Sequence, residues 1–107
     1  MCIRDRYSTA HVFLDEEISQ EELNLLYQDF YKDCPFVRIR NTPPMLNAVV
    51  GSNFCDIAVF SRGKTVVCLA TTDNLIKGMC GTALQNMNII CGCDETKGLM
   101  FPSLGAI

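Results

Sequence analysis

Residues 9–14, T-A-H-V-F-L, alternate with a rough period of two and predict a strand, with Ala10, Val12 and Leu14 on one face. His11 shares the other face with Phe13 and has no acid or cysteine near it in sequence, so it is assigned no catalytic role. A helix follows. Ser19 and Glu22 form an S-x-x-E capping box, with Ile18 and Leu23 placed as its hydrophobic staple. Leu23, Leu26, Tyr27 and Phe30 recur at helical spacing as one apolar stripe, and Pro35 stops the helix before Cys34. F-V-R-I-R, Phe36 to Arg40, predicts a second strand with Arg38 and Arg40 on one face, read as solvated in preference to an anion site. Asn41 to Pro44 and Gly51-Ser52-Asn53 are turns, and residues 45–50 are ambiguous. Cys55 to Phe60 and Thr65 to Thr71 predict two strands joined by a hairpin at Ser61-Arg62-Gly63-Lys64, where Gly63 is free to take positive φ. The near-continuous apolar run of the second is expected of a central strand covered on both faces. Asp73 then caps a long helix whose apolar face runs from Leu75 and Ile76 through Met79, Ala83, Leu84 and Met87 to Ile90, with Gly92 ending it. Gly78 and Gly81 in its first turns each cost about 1 kcal/mol relative to alanine. A close approach of another group is expected to offset that cost. The class is α+β: a mostly antiparallel sheet with helices on one face, plus the long C-terminal helix.

Composition narrows the functional classes. The 107 residues suffice for one small domain, and with 49% hydrophobic residues the chain can bury a core. The net charge is −3 with acids and bases interleaved, so no basic stripe exists to track a phosphate backbone and nucleic acid is not an expected partner. No apolar run reaches the roughly 18 residues of a membrane span. Seven cysteines occur without a C-x-x-C pair, and His11 is the only histidine. Zinc is therefore not expected, and the thiols are expected to be reduced and mostly buried, in a cytoplasmic protein. Met1 to Arg6, M-C-I-R-D-R, has mixed charge and no periodicity and resembles translated sequencing adapter. Residues 1–7 are accordingly expected to be a non-native, unstructured leader, with native sequence from near Ser8.

Several segments carry a resemblance. Thr72 to Gly81, T-D-N-L-I-K-G-M-C-G, resembles the D-N-L-x-K-G-A-x-G segment of N-acetyl-gamma-glutamyl-phosphate reductases. A-L-Q-N-M-N at Ala83 to Asn88 is similar to that family's A-x-Q-N-M-N, and G-C-D-E-T-K-G-L at Gly92 to Leu99 to its G-x-D-E-T-x-G-L. Upstream, F-Y-K-D with P-F-V-R, and G-S-N-F-C-D-I at Gly51 to Ile57, resemble the matching segments, all in family order.

The resemblance implies the C-terminal piece of a glyceraldehyde-phosphate-dehydrogenase-like enzyme of arginine biosynthesis. Such an enzyme reduces an acyl phosphate to a semialdehyde with NADPH, through a cysteine thiolate and a histidine. It implies that residues 8–73 are part of a substrate and dimerisation domain, and that residues 74–107 form a helix and tail packing on an N-terminal dinucleotide-binding domain. Homo-oligomers and a small-molecule substrate are the implied partners. No G-x-G-x-x-G and no S-N-P-G-C-Y-like nucleophile segment occurs, so no catalytic residue is assigned, Cys55 included. Asn74 resembles the asparagine that contacts the nicotinamide carboxamide in the wider superfamily. Gly78 would let the backbone approach NADP, and Lys77 would place a charge near phosphate or the subunit interface. The alternatives are another semialdehyde dehydrogenase, or a non-catalytic α+β interaction module.

Overall fold

The computed structural model describes residues 5–104. Four strands form one sheet, β1 (Asp5–Phe13), β2 (Val37–Arg40), β3 (Cys55–Arg62) and β4 (Thr65–Asp73), in the order β1-β4-β3-β2. The β3–β4 hairpin turns at Gly63, whose φ of 62° suits a residue without a Cβ. β1 adds antiparallel to β4, and β2 adds parallel to β3, so two of the three pairings are antiparallel. The expectation that residues 1–7 are unstructured fails for Asp5 to Tyr7, which pair with Asp73 to Thr71. Ladder bonds use only backbone groups, so absence of a side-chain period did not exclude the strand. Residues 1–4 lie outside the described residues.

Helix α1 (Gln20–Phe30) begins where its cap predicts: the Ser19 hydroxyl accepts from the Glu22 N–H at 3.2 Å. Gln20 then stitches the helix to β3, donating to the Val59 carbonyl at 2.7 Å and accepting from the Ser61 N–H at 2.9 Å. Leu23 is buried with Ile57, Val59 and Val66, and Tyr27, Val37, Ile39 and Cys68 pack around them. The apolar stripe is narrower than the sequence spacing suggests. Leu26 and Phe30 are 59% and 76% exposed, because the helix rests on β2 and β3 along Leu23 and Tyr27 only.

The opposite sheet face is covered in part by the β2–β3 crossover, which holds a single 3-10 turn at Leu46–Ala48 and the buried Val49 and Val50. β4 is central in the order, yet six of its nine residues are only partly covered, unlike a strand buried on both faces. Arg38 and Arg40 do not form a purely solvated face. They bracket the buried Asp56, with Arg38 Nε at 2.5 Å and Arg40 Nε at 3.3 Å from its two oxygens. Parallel pairing sets Arg38 directly beside Asp56, a neighbour that residue spacing within one strand cannot reveal.

The C-terminal helix is two pieces. A π-turn, Ile76–Cys80, leads into α2, Gly81–Ile90. α2 makes no extensive contact with any strand of the sheet. Met79, Met87, Ile89 and Ile90 are 60%, 53%, 56% and 83% exposed, so most of its apolar face is uncovered. Gly92 ends it at φ 72°, with the Cys93 N–H bonded back to the Asn88 carbonyl. The cysteines depart from expectation in burial. Cys34, Cys80, Cys91 and Cys93 are exposed and Cys55 and Cys68 half-buried, because several sit on this open helix and its tail; all six are free thiols.

Candidate functional site

The C-terminal end of β4 and the N-terminal ends of β1, β2 and β3 meet at one end of the sheet. There Asp73, fully buried, joins two segments. One carboxylate oxygen accepts from the Gly51 N–H at 2.6 Å, and the other from the Leu75 and Ile76 N–H groups at 2.8 and 3.3 Å. A carboxylate at a helix start answers both the unpaired donors and the positive end of the dipole. Gly51 has φ 78°, and a Cβ there would strike the Leu104 side chain, so the turn, the tail and the helix start are held together.

Asn74 follows at once. It is half-buried at the mouth of the helix, and its side-chain oxygen accepts from Arg6 Nη2 at 3.0 Å. Gly78 stands one turn on; a Cβ at that position would come within 2.9 Å of the Asn74 oxygen. The glycine thus leaves room for the Asn74 carboxamide. Lys77 points elsewhere. Its ammonium donates to Gln85 Oε1 at 2.7 Å and lies 5.3 Å from the centroid of the buried Phe36 ring. Burial pulls the Lys77 pKa below the ordinary lysine value, against the opposing pull of Cys55, Glu95 and Cys34. Of the three residues singled out from the sequence, Asn74 and Gly78 share a surface, and Lys77 turns inward.

Gly81, marked in the sequence as a helical glycine in need of a close neighbour, clusters here with three residues that composition and periodicity did not single out: Asn53, Gln85 and Glu95. Asn53 is fully buried and donates to Gln85 Oε1 at 3.2 Å, and Gln85 Nε2 donates to Glu95 Oε2 at 2.5 Å. The Asn53 side-chain oxygen, which has no hydrogen-bond partner among the described residues, rests against Gly81. A Cβ at Gly81 would overlap it and stand 2.7 Å from the Ile76 carbonyl. This is the close approach expected to offset a helical glycine. Asn88 donates to the Glu95 and Lys97 carbonyls at 3.2 and 3.0 Å, and Leu99 is buried, so the tail folds back on α2. Asp94 turns the tail by accepting from the Thr96 N–H at 3.1 Å and hydroxyl at 2.9 Å, bonds that hold its pKa below the ordinary carboxyl value. The signals for this cluster in the sequence were the helical Gly81 and the co-occurrence of the G-S-N, Q-N-M-N and D-E-T segments.

The thiol chemistry is unpromising for attack on a substrate. Cys55 is half-buried, and burial, reinforced by the Asp56 charge, raises its pKa against a smaller opposing effect of Lys77. The thiol stays protonated at neutral pH, and a thiolate is the nucleophile. By register, Cys55 shares a face with Thr72 and Arg6, and His11 lies on the other face with Val67 and Phe60, so these two do not form a thiol–imidazole pair. Among the described residues, no group of three or more His, Cys, Asp or Glu is arranged to hold a metal. None of the described helices is long and apolar enough to cross a membrane.

Comparison with known proteins agrees with this geometry. Residues 2–74 match the family model described as the semialdehyde dehydrogenase, dimerisation domain. The N-acetyl-gamma-glutamyl-phosphate reductase of Methanoregula boonei is 53% identical over 97 residues, covering 91% of this chain and 29% of that protein. That of Methanosarcina barkeri is 47% identical over 103 residues, covering 94% and 31%, and that of Archaeoglobus fulgidus 48% identical over 97 residues, covering 91% and 29%. The chain spans about three tenths of the length of these curated relatives. With most of its length matched, and with the strands, crossover and helix start in place, the chain belongs to the semialdehyde dehydrogenase dimerisation-domain family.

Proposed function

We propose that this chain acts as the C-terminal part of an NADPH-dependent N-acetyl-gamma-glutamyl-phosphate reductase, a cytoplasmic enzyme of arginine biosynthesis. The reaction reduces N-acetyl-glutamyl 5-phosphate to N-acetyl-glutamate 5-semialdehyde with release of phosphate. The observation that carries the reading is the β4–helix junction, where Asn74 presents a half-buried carboxamide beside a glycine that keeps its space open. A carboxamide offers one acceptor and a pair of donors, the complement of the nicotinamide carboxamide. Bound NADPH supplies the hydride. The residues of this chain bind and orient: Asn74 meets the nicotinamide amide, Gly78 admits it, and Asp73 fixes the helix start that carries both. Lys77, turned to Gln85, anchors the segment from behind. Thiolate and imidazole come from a different part of such an enzyme.

The sheet face opposite α1 supports a homo-oligomer. Phe60, Val67 and Leu69 are half-buried there, beside Tyr7 at 43% and Phe13 at 80% exposure. An uncovered apolar face of this kind on a domain from a dimerisation family fits a second copy. The exposed side of α2 fits the dinucleotide-binding domain.

Two measurements test the reading. Purified residues 1–107 should not oxidise NADPH with any acyl phosphate, and clear turnover would overturn the assignment of the chemistry elsewhere. In a protein carrying these residues at the full length of its relatives, Asn74→Ala should raise the KM for NADPH roughly three- to tenfold, the worth of one hydrogen bond. An unchanged KM would remove Asn74 from the nicotinamide site.

A further inference from the structure

The cluster behind Asn74 is more than packing, because its chemistry is directional. Lys77 can only donate hydrogen bonds, and the ionised Glu95 can only accept them. Between them Gln85 accepts from Lys77 Nζ at 2.7 Å with its oxygen and donates to Glu95 Oε2 at 2.5 Å with its nitrogen. Turned the other way, the amide would set its NH2 against an ammonium and its oxygen against a carboxylate. The orientation is therefore fixed by its neighbours. The same oxygen accepts a second bond, from Asn53 Nδ2 at 3.2 Å, which uses its remaining lone pair. Asn53 belongs to the turn that follows Gly51, and the Gly51 N–H bonds to Asp73, the residue before Asn74. The loop closes on itself: Asp73, the Gly51–Asn53 turn, Gln85, Lys77, and back to the segment that starts with Asn74.

We infer that Gln85 is a positioning residue. Through Lys77 and Asn53 it fixes the Asn74–Gly78 segment, and through Glu95 it makes that position depend on the C-terminal tail being folded back on α2. Lys77 sits inside the π-turn, whose backbone is looser than an α-helix, and the Thr82 hydroxyl also bonds to the Lys77 carbonyl. The bond from Lys77 Nζ to Gln85 pins that turn from its inner side. Asn74, two residues before the π-turn, inherits the constraint. No other natural side chain of this length does both jobs. Glutamate would face Glu95 with like charge, lysine would face Lys77 with like charge, and methionine would leave both partners unpaired.

The functional meaning of the constraint rests on the reading of Asn74 as a nicotinamide contact; the constraint itself does not. It is tested on the 107-residue chain with no nucleotide present, by NMR of the lysine side-chain Cε and Nζ resonances and of the Asn74 carboxamide. The groups facing the Lys77 ammonium are Glu95 in the tail, the Cys55 thiol on β3, Cys34 before β2 and the Phe36 ring. In Gln85→Met the ammonium loses its acceptor, so the Lys77 titration should move further down, and the Asn74 carboxamide signals should shift. The side-chain resonances of Lys32 and Lys64, outside the cluster, should be the same in the variant and the parent chain. Glu95→Gln keeps an acceptor for Gln85 Nε2 and removes a charge that favours the ammonium, so it should move Lys77 in the same direction and leave the fold intact. Wild-type Lys77 and Asn74 signals in a folded Gln85→Met protein would overturn the inference. If that variant does not fold, an unmoved Lys77 titration in Glu95→Gln overturns it instead. A KM for NADPH unchanged in Asn74→Ala, with Lys77 and Asn74 displaced in Gln85→Met, would refute the nicotinamide reading and leave the positioning role standing.

Discussion

Replacing Gly81 with alanine is the sharpest test of the interlocked cluster. A helical glycine is ordinarily improved by alanine, by about 1 kcal/mol. Here the added methyl meets the buried Asn53 side chain and stands 2.7 Å from the Ile76 carbonyl, a backbone atom that already accepts the Gly81 N–H. Overpacking of this sort costs about 1–3 kcal/mol. If Asn53 gives way, its bond to Gln85 is lost as well, a further 0.5–1.5 kcal/mol or so. The propensity gain offsets part of that, leaving a net loss of about 2 kcal/mol. For a domain of this size, such a loss lowers Tm by roughly 8–16 °C. Gly78→Ala is the matched control. Gly78 is exposed, and its added methyl meets only the movable end of Asn74, at 2.9 Å. It should be neutral, or stabilising by up to about 1 kcal/mol. Urea denaturation followed by circular dichroism reads both. A Gly81→Ala protein as stable as Gly78→Ala would refute the close approach, and with it the account of why glycine occupies the position.

Two other outcomes follow from the sheet. Asp56→Ala should destabilise by about 2–3 kcal/mol, and Arg40→Ala by about 1 kcal/mol or less, since the carboxylate is buried and Arg40 is partly solvated; equal effects in denaturant titrations would contradict the asymmetry. Cys55 should alkylate with iodoacetamide more slowly than Cys34, Cys80, Cys91 and Cys93 at neutral pH, and its rate should climb only at a pH above the usual thiol range, because its pKa is raised. Peptide mass spectrometry gives the order, and Cys55 reacting first would contradict it.

Much of the fold was legible because local physics dictates it. The Ser19 cap, the glycines at 63 and 92 and the apolar runs of β3 and β4 each follow from interactions among near neighbours in sequence. What escaped was set by neighbours far away. Arg38 and Arg40 read as a solvated face because Asp56 reaches them only across a parallel strand pair. Leu26 and Phe30 have helical spacing, yet the sheet offers contact along one narrower line. Asp5 to Tyr7 carry no pattern, and β4 pairs with them regardless. At the site, the D-N-L-x-K-G resemblance located Asn74 and Gly78, and the direction of the Lys77 side chain depended on Gln85, eight residues on, through a π-turn that no periodicity announces.

The place of β1 in the sheet also bears on the order in which the chain can assemble. β1 pairs with β4 across the whole of α1, β2 and β3, so forming that pair first would close a loop of roughly 51 residues between Phe13 and Thr65. The β3–β4 hairpin turns locally and meets no such cost. Once β2 has joined β3 and α1 has docked, β1 is tethered to the docked helix by only the six residues between Phe13 and Gln20. Closing that short tether in place of the long loop saves about 2 kcal/mol of chain entropy. Of the four strands, β1 is thus the one with most to gain by waiting, and its edge of the sheet is completed last.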